Sequence, residues 1–373
     1  MIRKILRKIA GVLCGITPKT NIIFESAPDF SDNTRAVFDE LVKRQYNKKY
    51  RFIWLTRRDD SEAPAVENLK RVRYGSRSAL LHRMFSKAVI SCNGFVSALS
   101  KHQFAIYLDH GTPLKDTSRY TKLPKDTYYL SSSADSVEIR SRILGITDAS
   151  KVVALGFPRN DVFAQQPVDI SGYFGSRYNK VIVWYPTFRQ HNNGHRYDGG
   201  TALPLIHDPE WAKQLNDELA RRNVLVVLKP HFAQDVSAIR DLGLSNIRFI
   251  DDSFYPAHGI TSYQFLNACD AMITDYSSVY YDYLLCDKPI GLVWEDIEQY
   301  KNGLGLVENY EFLCKGGEKI YTVDELCGFI DEVASGTDNL KAERGEIRKW
   351  AHYSTDGRNT ERVVDFIVER AKL

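Results

Sequence analysis

The sequence has few cysteines and no long apolar run. Its six cysteines are scattered among 373 residues, and none forms a C-x-x-C pair or a cysteine–histidine cluster with the spacing of a zinc site. Three of them, Cys92, Cys269 and Cys286, stand in apolar stretches, which is typical of buried thiols in a reducing compartment. No run reaches the ~18 apolar residues that a membrane-spanning helix needs. These absences argue against a disulfide scaffold, a zinc module and a spanning segment.

A large excess of one charge is also missing. The chain carries 50 Lys and Arg residues against 47 Asp and Glu residues, a net charge of +3. Proteins that bind nucleic acid through bulk charge need a strongly basic face, so this balance argues against that class. Three motifs are absent too: the G-x-x-x-x-G-K-[ST] loop of P-loop enzymes, the G-x-G-x-x-G turn of dinucleotide oxidoreductases and the G-x-S-x-G elbow of hydrolases.

Short apolar runs alternate with helical patterns along most of the chain. This alternation is typical of a parallel sheet covered by helices, and the length predicts two domains. The pattern fails over residues 165–179, which we interpret as a linker, and restarts at Val181. We therefore predict an α/β fold with two doubly wound sheets and a cleft between them, built from residues 18–170 and 171–373. The last helix is expected either to stay with the second domain or to pack back on the first.

Residues 1–17 form a basic amphipathic pattern. Apolar residues recur at helical spacing from Ile2 to Ile16, and the basic residues at positions 3, 4, 7 and 8 fall on the opposite face. No cleavage site of the kind that ends a signal peptide follows. Two interpretations remain open, a helix docked on the protein's own core and an in-plane contact with anionic lipid.

The string HGTPLK, residues 110–115, follows a predicted strand. Ligands of doubly wound sheets bind beyond the carboxyl ends of strands. Histidine has an ordinary pKa near neutrality, and His110 with Gly111 behind it can accept a proton from a hydroxyl. Thr112 and Lys115 add a hydroxyl and a cation that suit phosphate oxygens. The alternative is a loop histidine that caps its own turn.

The string GFPRND, residues 156–161, ends another predicted strand. Gly156 is a candidate for a close approach to a ligand, and Arg159 stands beside it. The alternative is a tight turn in which Asn160 or Asp161 caps the helix that follows.

Cations follow two strands of the second half. Arg189 comes after the strand that begins at Val181, where a guanidinium suits a phosphate or carboxylate. Lys229 and His231 leave the most apolar strand of the chain, VLVVL, and placing them there is costly unless an anion is nearby. A surface arginine and a core histidine are the alternatives.

The string TDYSS, residues 274–278, precedes an amphipathic helix. The hydroxyls of Ser277 and Ser278 and the unpaired backbone N–H groups of a helix start together suit an anion, although one of these serines also suits an N-cap. The acidic pairs 59–60 and 251–252 could bind a cation, but we expect neither to adjoin the motifs. The sequence therefore predicts no required metal.

These strings resemble the CDP-glycerol glycerophosphotransferase family, whose members prime and polymerise teichoic acids and related capsule polymers. The resemblance runs from about Phe24 to the C-terminus. It is carried by FES at 24–26, SDN at 31–33, HGTPLK at 110–115, GFPRND at 156–161, YPTFR at 185–189, KPH at 229–231, ITDYSSVYYDYLLCDKP at 273–289 and DGRNTERVVDFI at 356–367.

The resemblance implies a GT-B fold in which residues 18–170 form the acceptor side and residues 171–373 hold the nucleotide donor. It makes His110 the base on an acceptor hydroxyl that attacks the β-phosphorus of CDP-glycerol and displaces CMP, and His231 a partner of the donor diphosphate. The other implied donor-side residues are Arg189, Lys229, Thr274, Asp275, Ser277, Ser278 and Asp282. The implied acceptor-side or cleft residues are Asp109, Gly111, Thr112, Lys115, Gly156 and Arg159. No cofactor beyond the CDP-activated donor is implied.

Two departures from the family pattern leave the donor open. Asp109 stands where the family usually has Trp, and Pro230 precedes the second histidine, which the family usually follows with Pro. Glycerol, ribitol and sugar donors therefore all remain possible, and a GT-B glycosyltransferase of surface polysaccharide synthesis is the alternative. A third hypothesis is a catalytically silent binding or scaffolding member of a capsule complex. The expected partners are a lipid-linked or oligosaccharide acceptor and an anionic membrane surface. The expected location is the cytoplasmic face of the cell membrane, and no nucleic-acid partner is expected.

Overall fold

The computed structural model describes residues 11–12, 14–58, 63–118, 127–187, 203–231, 234–303 and 305–373. Most of the predicted amphipathic helix over residues 1–17 lies outside these residues, as do Arg189 and the acidic pair 59–60. Within the described residues, no helix is both long enough and apolar enough to cross a membrane. The chain divides into two compact units, and we describe each by itself.

The first unit contains a parallel sheet. Its seven described strands are arranged across the sheet in the order β3-β2-β1-β4-β5-β6-β7. The strands are β1 Asn21–Glu25, β2 Arg51–Thr56, β3 Leu69–Arg73, β4 Ser86–Ser91, β5 Phe104–Tyr107, β6 Tyr128–Ser131 and β7 Val152–Ala154. Every residue of β1, NIIFE, is buried, as expected of a central strand covered on both faces. The strand order reverses between β1 and β4, where ligand sites of doubly wound sheets occur.

The helices of the first unit cover this sheet. The unit's first four described helices are α1 Asp32–Lys43, α2 Tyr46–Lys49, α3 Arg77–Met84 and α4 Val137–Leu144. Helix α1 presents Val37, Phe38 and Leu41 to the core, and the ring of Phe38 meets that of Phe24 on β1 edge-to-face at 5.2 Å. Aromatic packing of this kind is worth about 0.5–1.5 kcal/mol beyond the buried area.

The second unit repeats the architecture. Its described strands form a parallel sheet of order β10-β9-β8-β11-β12-β13, which reverses between β8 and β11. The strands are β8 Lys180–Trp184, β9 Val224–Leu228, β10 Ile247–Phe249, β11 Ala271–Thr274, β12 Ile290–Val293 and β13 Glu318–Ile320. Every residue of β9 is buried. The predicted α/β class with two doubly wound sheets is confirmed.

The helices of the second unit are mostly short. They are α5 Pro209–Arg222, α6 Ser237–Arg240, α7 Phe254–Ala257, α8 Ser262–Ala268, α9 Val279–Tyr283, α10 Ile297–Asn302, α11 Tyr310–Leu313, α12 Val323–Ser335 and α13 Lys341–Ala351. Helix α9 follows the TDYSS string and continues as a 3-10 turn, Leu284–Cys286. Helix α12 begins with a capping box between Thr322 and Glu325.

The last helix, α14 Asn359–Ala371, belongs to the first unit. It places Val363, Val364 and Ile367 in the core that also contains Phe24 and Phe38. The first unit also holds the described residues up to Thr112, from 127 to Asp161, and from His352 to the start of α14. The second unit holds residues 113–118 and the described residues from Val162 to Ala351.

The Glu318 carboxyl on β13 should make the stability of the fold depend on pH. Burial, and then the neighbouring Glu332 and Glu325, raise the pKa of Glu318 from its ordinary value of 4.5 to about 7. The folded state therefore binds this proton more tightly than the unfolded state, and stability is lost as the pH rises from 4.5 to 7. Glu318→Gln removes the penalty. We expect its Tm relative to the unmodified chain to be higher at pH 8 than at pH 5, whereas Glu67→Gln, an exposed control, should show no such trend. An equal difference at both pH values would contradict the assignment.

Candidate functional site

His110 lies in the loop that follows β5. Asp109 before it has φ +55° and Gly111 after it has φ +153°, so the backbone turns sharply on both sides of the histidine. The side chain of His110 is 58% exposed, and the Arg159 guanidinium donates to the His110 carbonyl at 2.7 Å. The turn therefore presents the imidazole to solvent, and the hydrogen bond from Arg159 stabilises its backbone.

Asp109 turns back toward His110. Its Oδ1 atom accepts the His110 backbone N–H at 2.6 Å and lies 3.3 Å from His110 Nδ1. Its Oδ2 atom is paired with the guanidinium of Arg140, which is completely buried on α4. Arg140 also donates to the Gly111 carbonyl at 2.7 Å. One buried guanidinium thus holds both neighbours of His110.

Thr112 lies inside the first unit. It is fully buried, and its hydroxyl is 2.7 Å from that of Ser132, at the end of β6. Ser132 in turn contacts Ser136, which also contacts Ser131 and Ser133. This buried hydroxyl network ties the loop after β5 to the loop after β6, so in this structure Thr112 secures the turn.

The GFPRND string is tied to the last helix. Gly156 has φ +80°, and a Cβ there would lie 2.1 Å from Asn359 Oδ1. The close approach at Gly156 is therefore made by α14, where we expected a ligand. The Asp161 carboxylate accepts the backbone N–H groups of Asn359 and Thr360, each at 2.8 Å. The expectation that Asn160 or Asp161 caps the helix directly after it is wrong, because both lie inside the 3-10 helix Pro158–Ala164 and Asp161 caps α14 instead.

Arg159 connects its own 3-10 helix to the start of α1 and to the turn at His110. Besides the His110 carbonyl, its guanidinium pairs with Asp32 at 2.7 Å, and its backbone N–H donates to Asn33 at 3.1 Å. The Asn33 amide donates to the Asp109 carbonyl at 2.8 Å. The SDN and GFPRND strings therefore meet at the backbone of the HGT turn.

Asp275 performs a similar role at the strand reversal of the second unit. It is buried at the end of β11, and its carboxylate accepts the Thr187 backbone N–H at 2.9 Å and the Tyr276 N–H at 2.6 Å. The Thr274 hydroxyl donates to the Tyr185 carbonyl at 2.8 Å. These bonds join the loop after β8 to the loop after β11.

Lys229 is paired at the end of β9. Its Nζ atom lies 2.9 Å from Asp252 and 5.9 Å from the centre of the Tyr185 ring. The Tyr185 and Tyr255 hydroxyls are 2.5 Å apart, and burial raises the pKa of both, so both stay protonated. The expectation that the acidic pair 251–252 adjoins no motif is therefore wrong for Asp252, because β9 and β10 are neighbours.

The remaining predicted donor residues of the second unit differ in exposure. His231 is half-buried, and its carbonyl accepts the Gln234 N–H at 2.9 Å. Ser277 and Ser278 are half-buried at the start of α9. Asp282 is fully buried and accepts the Tyr263 hydroxyl at 2.6 Å.

Lys115 belongs to the second unit although His110 belongs to the first. It pairs with Leu306 in a short antiparallel bridge, and its Nζ atom lies 6.0 Å from the centre of the Tyr300 ring. That ring stacks on Tyr276 of the TDYSS string at 3.9 Å. The structure therefore gathers Lys115 with the predicted donor residues rather than with the acceptor-side residues.

The predicted residues fall into two groups. Asp109, His110, Gly111, Thr112, Gly156 and Arg159 come together in the first unit. Lys115, Lys229, His231, Thr274, Asp275, Ser277, Ser278 and Asp282 occur in the second unit, and Arg189 lies outside the described residues. Sequence reasoning missed Arg140 and Tyr300, for which no local motif gave a signal, and it placed Asp252 away from the motifs. In the described part of the chain, no group of three or more His, Cys, Asp or Glu residues is arranged to hold a metal ion.

Comparison with known proteins identifies the family. Residues 11–369 match the family described as CDP-Glycerol:Poly(glycerophosphate) glycerophosphotransferase. The chain belongs to this family. The membership predicted from the motifs is thereby confirmed, and with it the transferase class.

Individual relatives agree with this membership. The teichoic acid glycerol-phosphate primase of Bacillus subtilis strain 168 is 24% identical over 97% of this chain and 95% of its own length. The teichoic acid poly(glycerol phosphate) polymerase of Staphylococcus epidermidis is 28% identical over 79% of this chain but only 43% of its own length. A solved structure of the wall teichoic acid polymerase TagF matches with a TM-score of 0.74, 23% identity and coverage of 98% and 92% of the two chains, which shows that the fold is shared.

Gly156 provides a test of how the family's GFPRND string is held. Gly156→Ala forces a side chain onto a left-handed backbone and against buried Asn359, and we expect a cost of about 3 kcal/mol or more, visible as a lower Tm. Gly145→Ala is the matched control, because Gly145 has φ +63° and no atom near its Cβ position. It should cost only about 1–2 kcal/mol. Equal Tm losses in the two variants would contradict the close approach of α14.

Proposed function

We propose that this chain transfers glycerol phosphate from CDP-glycerol to an acceptor hydroxyl in the synthesis of a teichoic-acid-like or capsular polymer. Family membership over residues 11–369 carries the proposal. The choice of glycerol rests on relatives that are named glycerol-phosphate primase and poly(glycerol phosphate) polymerase, while ribitol-phosphate polymerases are also among the relatives.

His110 is the proposed general base. It is the exposed side chain at the centre of a turn whose neighbours are fixed by Arg140 and Arg159. A turn that is held in place and presents an exposed imidazole is what a base needs, because proton transfer requires a group that is both positioned and accessible.

The proposed reaction is a single displacement at phosphorus. The acceptor oxygen forms a bond to the β-phosphorus of CDP-glycerol, and the bond from that phosphorus to the bridging oxygen breaks. CMP leaves with this oxygen, and the acceptor proton passes to His110. Transfers of this kind depend chiefly on alignment and on stabilisation of the charge on the leaving group.

The second unit supplies the proposed donor site. His231, Ser277 and Ser278 follow β9 and β11, which flank β8 at and beside the strand reversal. Lys229 and Arg189 add positive charge, and Lys115 stands close to the Tyr276–Tyr300 stack. We assign Thr274, Asp275 and Asp282 to positioning, because each has its side chain hydrogen-bonded to the unit itself.

We propose that these cations and hydroxyls replace a metal ion in neutralising the diphosphate. The reaction should then proceed at an undiminished rate in EDTA, so EDTA is included in the assay below.

The central test replaces His110. We expect His110→Ala to lower kcat by about 10²–10⁴-fold, the usual contribution of a general base, without lowering the Tm. The assay measures CMP release from CDP-glycerol in EDTA, with heat-treated Bacillus subtilis membranes as the acceptor source. His102→Ala is the matched control, because His102 is an exposed histidine that precedes β5 whereas His110 follows it. An active His110→Ala variant would overturn the assignment of the base.

We also propose that residues 1–17 contact an anionic membrane surface at the cytoplasmic face. The described end of this segment supports the proposal: Val12 and Ile16 are 76% and 82% exposed, whereas Cys14 between them is buried. An exposed apolar pair beside a cluster of basic residues suits shallow insertion into anionic lipid.

The membrane contact is tested by vesicle sedimentation. The double variant Val12→Asp/Ile16→Asp should bind phosphatidylglycerol vesicles at least about tenfold more weakly, because two apolar side chains no longer enter the lipid. Phe312→Asp, which changes an exposed aromatic residue of the second unit, should bind as the unmodified chain does. If the double variant binds equally well, the segment is not a membrane contact.

A further inference from the structure

We propose that Asp109, anchored by Arg140, is a positioning residue that fixes the tautomer of His110 and makes Nε2 the proton acceptor. The inference rests on the proposed function, in which His110 is the base. It assigns a role to a carboxylate and a buried arginine that do not themselves meet the substrate.

The backbone brings the carboxylate to the ring. Asp109 adopts φ +55°, a left-handed conformation that Asp tolerates better than most residues. In this conformation its Oδ1 atom accepts the His110 backbone N–H at 2.6 Å and lies 3.3 Å from Nδ1. The carboxylate therefore meets the imidazole from the side of Nδ1.

Arg140 holds the carboxylate in this position. The guanidinium is completely buried and pairs with Oδ2, and its second nitrogen donates to the Gly111 carbonyl at 2.7 Å. A buried guanidinium needs an anion beside it, so moving the Asp109 carboxylate away would leave Arg140 buried without its counter-charge, which is strongly unfavourable. Helix α4 thereby fixes the carboxylate, and the carboxylate in turn fixes the ring.

The chemistry follows from donor and acceptor roles. A neutral imidazole has one N–H, and a carboxylate can only accept, so the proton resides on Nδ1, which faces Asp109. Nε2 then keeps its lone pair for the acceptor hydroxyl. When Nε2 takes the proton, the imidazolium forms 3.3 Å from a negative charge.

The surrounding charges favour orientation over a large electrostatic effect. Within the first unit, the charged side chains that face the His110 turn are Asp109, Arg140, Arg159 and Asp32, and Arg159 pairs with Asp32 at 2.7 Å. Two cations and two anions balance one another. The principal effect of Asp109 is therefore to select which ring nitrogen is free.

Nitrogen NMR of histidine measures this selection directly. With ¹⁵N-labelled histidine, and with the His110 signals assigned by their loss in His110→Gln, we expect Nδ1 protonated and Nε2 unprotonated at pH 8 in the unmodified chain. Asp109→Asn can offer an amide donor to Nδ1, so it should move the proton to Nε2. If the unmodified chain carries the proton on Nε2, the proposal is overturned without recourse to any variant.

Kinetics supply the second readout. Asp109→Asn should lower kcat by roughly 10²-fold, within the contribution of a positioned base, and change KM for CDP-glycerol by less than about twofold. Asp161→Asn is the matched control. It removes a carboxylate that caps α14 in the same unit, so it should lower the Tm but leave the His110 tautomer unchanged.

The outcomes separate this inference from the proposed function. An unchanged tautomer in Asp109→Asn overturns the positioning role even if His110→Ala is inactive. Conversely, an active His110→Ala variant refutes the base while the NMR result still reports on Asp109. A shift of the tautomer in Asp161→Asn would show that any loss of stability moves the proton, and it too would overturn the proposal.

Discussion

The buried ion pair between Asp109 and Arg140 holds the turn on which the proposed chemistry depends. The positive φ of Asp109 costs energy, and such a conformation persists only where the surroundings hold the residue in place. Arg140 meets this requirement by binding the carboxylate of Asp109 and the carbonyl of Gly111, and Arg159 and Asn33 bind the carbonyls of His110 and Asp109. The carbonyls of Asp109, His110 and Gly111 are thus all hydrogen-bonded, while the imidazole remains exposed.

The second unit uses a carboxylate in the same way. Asp275 lies buried at the strand reversal and accepts backbone N–H groups from the loops after β8 and β11. In both units an acidic residue that a motif search would assign to the ligand instead stabilises the loop. This arrangement fits the proposed anionic donor, because a carboxylate that is already bound within its own unit repels a diphosphate less than an unpaired one would.

The sequence predicted the fold and placed several candidate residues at strand ends, where the structure has them, because both features follow from local patterns. The run VLVVL followed by Lys229 is a buried strand ending at a ligand edge, and TDYSS marks a strand end and a helix start. Strand β3, LKRVR, was missed because it is an edge strand whose exposed Lys and Arg side chains hide the alternation.

The supporting contacts could not be predicted from local patterns. The partner of Arg140 lies 31 residues earlier in the chain, and Asp161 caps a helix that begins 198 residues later. Nothing in the sequence near Arg140 distinguishes it from a surface arginine on a short helix. Lys115 likewise pairs with Leu306, which only the folded second unit brings to it. Such pairings depend on tertiary packing, which overrides local signals.

Transfer of a phosphopolyol unit is measured directly by phosphorus NMR of the reaction between CDP-glycerol and heat-treated Bacillus subtilis membranes. The diphosphate signals of CDP-glycerol should be replaced by equal amounts of CMP and a new phosphodiester. CDP-glycerol that remains intact while a nucleotide sugar is consumed, or nucleotide consumption without a phosphodiester, would contradict this transfer.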